Sequence, residues 1–393
     1  MFANRYLYKN KVEPLISAPP SSLLKISVII PCYREPDILQ TLESLYECRL
    51  PNSDVEVIVL INQSETAPEE TKKFNKKTKA EIDNWISENP KKGLKFFAIG
   101  PVDLRKKWAG AGLARKKGMD EAVRRFSLLE NPGGIIVSLD ADTLIQENYF
   151  TEIENYFKNH PKNPGATIAF EHPKEELSEK HLQGILLYEK YMDYYKNALD
   201  FCGYPYPMFT VGSAFAVTAE AYVKRGGMNR RQAGEDFYFL QNLAQMGTVG
   251  EIKSTKVFPS ARLSNRVPFG TGPILQKWME GKEDLTQTYN FEAFGDLKDF
   301  FDIKDQLYLI NKQDYKLFLM KLPLSVGNFL VEDDFWKEIS DLNRNCSSLK
   351  SFQTRFFQKF NAFKILKFLN FCHPLFYKKD DLEEQIIKLN KTK

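Results

Sequence analysis

Short β-branched runs alternate with amphipathic stretches through the first 140 residues. Ile26 to Ile30 is apolar at every position but Ser27 and stops at Pro31, the pattern of a buried strand. Ile38, Leu39, Leu42 and Leu45 then share one helical face, and Val55 to Ile61 reads as a second strand. A charged helical pattern runs to about Asn89, followed by a strand from Leu94 to Ile99, a helix from Gly110 to Leu129 and a strand from Ile135 to Leu139. This alternation predicts an α/β fold, a mostly parallel, Rossmann-like sheet flanked by helices. Beyond Asp142 the pattern loosens, with helices near Gln146 to Asn159, Glu176 to Leu199 and from about Gly234, and strands at Ala166 to Phe170 and Gly212 to Val217. After about Pro259 strand signals fade and Phe, Lys and Leu recur at helical spacing. The expected organisation is a lead-in over 1–23, an α/β domain over 24–260 and a mainly helical C-terminal region over 261–393.

Composition narrows the function. Lys and Arg number 55 against 51 Asp and Glu, a net charge of +4, so no basic surface of the kind that binds nucleic acid is expected. The five cysteines are odd in number and lack C-x-x-C spacing, which signals neither a disulfide framework nor a zinc knuckle. With no apolar signal-peptide core at the N-terminus and no run of about 18 apolar residues, a cytoplasmic location is expected. Phe352, Phe356, Phe357, Phe360, Phe363, Phe368 and Phe371, interleaved with Arg355, Lys359, Lys364 and Lys367, fit either a helix packed in a core or an interfacial helix in peripheral contact with the inner face of a membrane.

The main candidate for chemistry is Asp140-Ala141-Asp142, directly after the strand ending at Leu139. Two carboxylates two residues apart at the carboxyl edge of a parallel strand repel each other and call for a cation. Mg²⁺ or Mn²⁺ would meet that need by sharing one or two protein carboxylates with a diphosphate ligand. A polar loop capping the next helix would show the same residues. Pro31-Cys32-Tyr33-Arg34-Glu35 offers a ring and hydrogen-bonding groups for a nucleobase, or simply ends a strand and charges the next helix start. In Trp108 to Lys117, glycines open a helix and Arg115 lies one turn in, placed for a phosphate or on a solvated basic face. Gly234-Glu235-Asp236 puts two acids at a helix N-terminus, where the dipole alone would also favour them. Arg262 to Gly272 joins two arginines to a glycine turn, as a lid holding an anion or as a linker.

In order, V-I-I-P-C-Y-R-E, G-A-G-L-A-R, D-A-D after a buried strand and G-E-D opening a helix resemble the family 2 glycosyltransferases, inverting enzymes of the GT-A fold, over roughly residues 24–260. The resemblance implies that Pro31, Tyr33 and Glu35 line the nucleotide pocket and that Arg115 lies near the nucleotide or its diphosphate. It implies that Asp140, with Ala141, sits by the ribose, that Asp142 binds the metal with Asp140 beside it, and that Asp236 is the catalytic base with Glu235 next to it. Where the family often has D-D-G-S, this chain has Ile61-Asn62-Gln63-Ser64, so Asn62 takes the place of the acid that recognises the base, and its amide both donates and accepts. The implied reaction moves a sugar from a nucleotide-diphosphate donor, UDP-linked foremost, to a hydroxyl of a glycan or lipid-linked glycan, with Mn²⁺ or Mg²⁺, in building a polysaccharide or glycoconjugate. The rivals are a non-catalytic nucleotide-sugar-binding scaffold and a sugar-nucleotide pyrophosphorylase. The latter would need a glycine-rich basic loop where Pro31 to Glu35 stands.

Overall fold

The computed structural model describes residues 1–230, 234–264 and 270–392. Strands β1 (Leu24–Cys32), β2 (Asp54–Ser64), β3 (Leu94–Leu104), β4 (Ile135–Ser138), β5 (Thr143–Ile145), β6 (Gly165–Phe170), β7 (Phe215–Thr218) and β8 (Val249–Pro259) form one sheet in the order β3-β2-β1-β4-β7-β6-β8-β5. The first eight α-helices are α1 (Asn4–Asn10), α2 (Ile38–Glu47), α3 (Glu69–Glu88), α4 (Ala111–Leu128), α5 (Tyr149–Asn159), α6 (Glu179–Phe201), α7 (Ala219–Lys224) and α8 (Glu235–Ala244).

β1 pairs in parallel with β2 and β4, and β2 with β3, whereas β7 runs antiparallel to both β4 and β6. Strands covered on both faces have no polar side to show, which is why β1 and β2 read as near-continuous Val and Ile. Because β1 lies between β2 and β4, the chain reverses its direction of travel across the sheet there, and the carboxyl ends of β1 and β4 flank the crevice where open α/β sheets hold ligands. Leu139 N donates to Ile29 O at 3.1 Å, fixing the exit of β4 against β1.

The packing divides the described chain into two compact units, Met1–Glu175 with Thr210–Pro273, and Glu176–Phe209 with Ile274–Lys393. The lead-in belongs to the first unit and carries a helix, α1, whose Tyr6 Oη donates to Asp120 Oδ1 on α4 at 2.6 Å. α4 is further held by Arg125, which is fully buried: its Nε lies 2.6 Å from Glu56 Oε2, its Nη2 2.5 Å from Oε1, and its Nη1 2.8 Å from Ala18 O. Arg125→Met should therefore destabilise the protein by about 3–5 kcal/mol, because Glu56 would be left as an uncompensated buried charge. Urea unfolding measures this, and a loss below about 1 kcal/mol would mean that Glu56 finds another partner.

The second unit is a bundle of helices with a phenylalanine-rich core. Phe352, Phe356, Phe360 and Phe368 are fully buried, with Phe360 centred 5.3 Å from Phe300 and 5.5 Å from Phe335, edge to face. The interfacial-helix reading of this stripe is thus corrected for most of its rings, although Phe363 is 40% exposed. The stripe fills the unit's own core, and its cations are engaged there too: Lys364 pairs with Asp333 and with Glu338 at 2.6 Å, and Lys359 lies 3.0 Å from Asp341. No described helix is long and apolar enough to cross a membrane.

Candidate active site

β4 ends at Ser138, and the chain turns through Asp140 to Asp142 before β5 begins at Thr143. The turn is pinned by its own main chain, with Thr143 N on Asp140 O at 3.2 Å, and from α2, where Thr41 Oγ1 donates to Ala141 O at 3.0 Å. Ala141 is accordingly buried, while the Asp140 and Asp142 carboxylates reach the surface. Each acid has its own arginine among the described residues. Asp140 pairs with Arg115 at 3.0 Å and Asp142 with Arg262 at 2.7 Å, an arrangement that relieves their mutual repulsion by giving each a guanidinium.

Arg115, in the first turns of α4, is 3% exposed, and every nitrogen of its guanidinium is engaged. Nε donates to Glu235 Oε1 at 3.2 Å, Nη1 to Ser138 Oγ, Asp140 Oδ1 and Gly212 O at 2.8–3.1 Å, and Nη2 to Asp140 Oδ1 at 3.0 Å. It joins β4, α4, the turn leading into β7 and α8 at one point. A side chain at Gly212 would not fit there, since a Cβ would lie 2.9 Å from Arg115 Nη2 and 3.2 Å from Asp236 Oδ2.

Glu235 and Asp236 open α8 after Gly234, whose φ of +71° is the left-handed conformation glycine adopts without strain. Glu235 is buried against Arg115; Asp236 Oδ1 accepts from Phe237 N at 2.8 Å. Burial first, and the neighbouring Glu235 charge second, push the Asp236 carboxyl up to about 6, against the lowering influence of Arg115. A carboxyl poised there is mostly ionised at neutral pH and basic enough to take a proton.

At the end of β1, Pro31 is buried, Tyr33 is 38% exposed, and Glu35 is buried with Arg262 Nη1 2.6 Å from Oε1 and Nη2 on Oε2. Asn62, at the end of β2, is buried and donates through Nδ2 to Cys32 O at 3.1 Å, tying the ends of β1 and β2 together. The structure thus gathers Glu35, Arg115, Asp140, Asp142, Glu235 and Asp236 along linked contacts, with Asn62 in a supporting position.

Sequence reasoning missed Ser138 and Gly212 as partners of Arg115, and it placed Arg262 only in a lid or linker. A polar residue closing the apolar β4 was the one available signal for Ser138; nothing in spacing joins Arg262 to Glu35, 227 residues earlier. Asn265 to Phe269 of that segment lie outside the described residues.

Among the described residues no group of three or more His, Cys, Asp or Glu side chains is arranged to hold a metal ion. The donor chemistry at Asp142 and Asp140 still fits Mg²⁺ or Mn²⁺, which commonly take one or two protein carboxylates and draw the remaining oxygens from phosphate and water.

No curated protein matches the chain. Among solved structures, Staphylococcus aureus TarS 1–349 in complex with UDP-GlcNAc shares 11% identity, covering 85% of this chain and 92% of that one, with a TM-score of 0.42. The mannosyltransferase PcManGT from Pyrobaculum calidifontis, in complex with GDP-Man and Mn²⁺, shares 17% identity over 67% of this chain and 66% of its own, with a TM-score of 0.38. Residues 27–222, which run from within β1 to within α7, match glycosyl transferase family 2, and the chain belongs to that family.

Proposed function

We propose that this protein transfers a sugar, with inversion, from a nucleotide-diphosphate donor, foremost a UDP-sugar, to a hydroxyl of a glycan or lipid-linked glycan. The observation that carries the reading is the environment of Asp236: a half-buried carboxyl raised to about 6, at a helix N-terminus beside Arg115. In the proposed reaction the acceptor oxygen forms a bond to the anomeric carbon and gives its proton to Asp236, while the bond from that carbon to the diphosphate oxygen breaks and the nucleoside diphosphate leaves. Arg115 holds Asp140 and Glu235 in place and restrains the rise of the Asp236 pKa. Asp140 faces the ribose side of the pocket, and Pro31, Tyr33, Glu35 and Asn62 form its nucleoside end. Asp142, with Asp140 beside it, would hold Mn²⁺ or Mg²⁺, which when bound supplies positive charge to the departing diphosphate.

Thermal unfolding against UDP, GDP, CDP and ADP, each with and without Mn²⁺, tests this on the intact protein and on Asp142→Ala. A ligand at about 100 times its Kd stabilises by roughly 2.7 kcal/mol, enough for a measurable rise in Tm. A Mn²⁺-dependent rise with one nucleotide, absent in Asp142→Ala, is the expected result. The absence of any shift at saturating concentrations would overturn the donor site and leave the acids only to balance Arg115 and Arg262.

A further inference from the structure

Arg262 follows β8 and meets three carboxylates from distant parts of the sequence. Its two terminal nitrogens clasp Glu35, Nη2 also reaches Asp142 Oδ2 at 2.7 Å, and Nη1 lies 3.7 Å from Asp37 Oδ2. Glu35 is buried, so a planar, permanently charged fork that engages both carboxylate oxygens is the residue type that suits this position. The backbone on either side of the crevice is already tied down: Ser260 N donates to Asp142 O at 3.1 Å, and Arg262 N to Ser260 Oγ at 3.3 Å. Parting Arg262 from Asp142 therefore asks for a change in the Arg262 side chain, which is 27% exposed, and not in the backbone.

The carboxylate oxygen that Arg262 occupies belongs to the acid proposed to hold a divalent cation. Guanidinium and metal cannot both approach Asp142 Oδ2 closely, since their charges repel. We propose that Arg262 is the resident counter-cation of the donor site. It neutralises Asp142 and Glu35 in the empty protein, yields Asp142 when the cation enters, and turns its freed nitrogens to the diphosphate that arrives with it. This rests on the reading of Asp142 as the cation-binding acid. Its consequence is that metal and nucleotide bind cooperatively: the cation alone must displace Arg262 without recompense, whereas the diphosphate gives the displaced guanidinium a new anionic partner.

The test is calorimetric titration of Mn²⁺ into the nucleotide-free protein, into Arg262→Gln and into Arg262→Lys, repeated with saturating UDP. Arg262→Gln should bind Mn²⁺ more tightly than the unaltered chain by about 5- to 150-fold, the usual range of coupling between sites, and UDP should then add less to Mn²⁺ affinity than it does in the unaltered chain. Arg262→Lys keeps the charge but loses the fork, and should fall between the two; it decides the matter by the same sign should the Gln variant not fold. Adding Asp142→Ala to either background should abolish the gain. Equal or weaker Mn²⁺ binding by both Arg262 variants, with Mn²⁺ still bound by the unaltered chain at Asp142, would overturn the role of Arg262 and leave the metal site standing. Failure of every protein to bind Mn²⁺, with or without UDP, would overturn both.

Discussion

Asp236→Asn is expected to lower kcat by about 10²- to 10⁴-fold while KM for the donor changes little, because the substitution removes the proposed proton acceptor and leaves the donor contacts intact. The same residue sets the pH dependence. A base raised to about 6 must lose its proton before it can act, so kcat/KM should rise about tenfold per pH unit up to near pH 6 and level off above. Stability runs the other way. Because the folded-state value lies above the ordinary 3.8, the folded chain holds a proton that the unfolded chain has lost, and the Asp236 contribution to stability falls as pH rises from about 4 through 6. Asp236→Asn has no such loss, so it should be no less stable than the parent at neutral pH while being nearly inactive. Rate profiles and unfolding curves from pH 5 to 8 check both halves; a variant that retains the parental kcat, or a flat parental profile from pH 5 to 7, would remove Asp236 from the role.

Arg115→Leu should affect both the stability of the fold and the pH dependence of activity. The guanidinium is almost wholly buried and compensates Asp140 and Glu235, the latter equally buried, besides satisfying Gly212 O. Truncating one partner of a buried ion pair typically costs about 3–5 kcal/mol, since here the buried Glu235 would stay desolvated without its cation. A second effect follows from the same charge. Arg115 holds the Asp236 carboxyl down, so in a variant that still folds the base should titrate above its parental value and the activity profile should shift to higher pH. Urea denaturation measures the first and the pH profile the second. A penalty under about 1 kcal/mol with an unshifted profile would mean that Arg115 is an incidental neighbour of these acids.

Much of this architecture is legible in one dimension because local physics suffices for it. β1, β2 and β4 are apolar runs that cannot be amphipathic helices, and α2 and α4 carry apolar residues at helical spacing, so element type and order follow from periodicity. The acids of the site are visible as well, since a doubled carboxylate after a buried strand and an acidic pair after Gly234 are local patterns. β8 escaped notice because its interior, Gly250 to Lys256, mixes charged and small residues, which a strand paired with β5 only over Val257–Pro259 tolerates, and α7 is only six residues long. The phenylalanine stripe was correctly seen as amphipathic, yet periodicity reports that one face is apolar and not what covers it; here the unit's own helices do.

What belongs to tertiary structure alone is partnership. Nothing local tells Arg115 to close on Asp140, Glu235 and Gly212, which lie 25, 120 and 97 residues away, or Arg262 to return to Glu35. Those meetings depend on the strand order β2-β1-β4-β7, which brings the ends of β1 and β4 side by side and carries the approach to β7 past them. The sequence by itself determined which residue types stand at the strand ends and helix starts, because conformational preference and burial act over a few neighbouring positions. The fold decided which charge neutralises which, because electrostatic pairing depends on distance in space, and it sets Arg115 between Asp140 and Glu235 and Arg262 between Glu35 and Asp142.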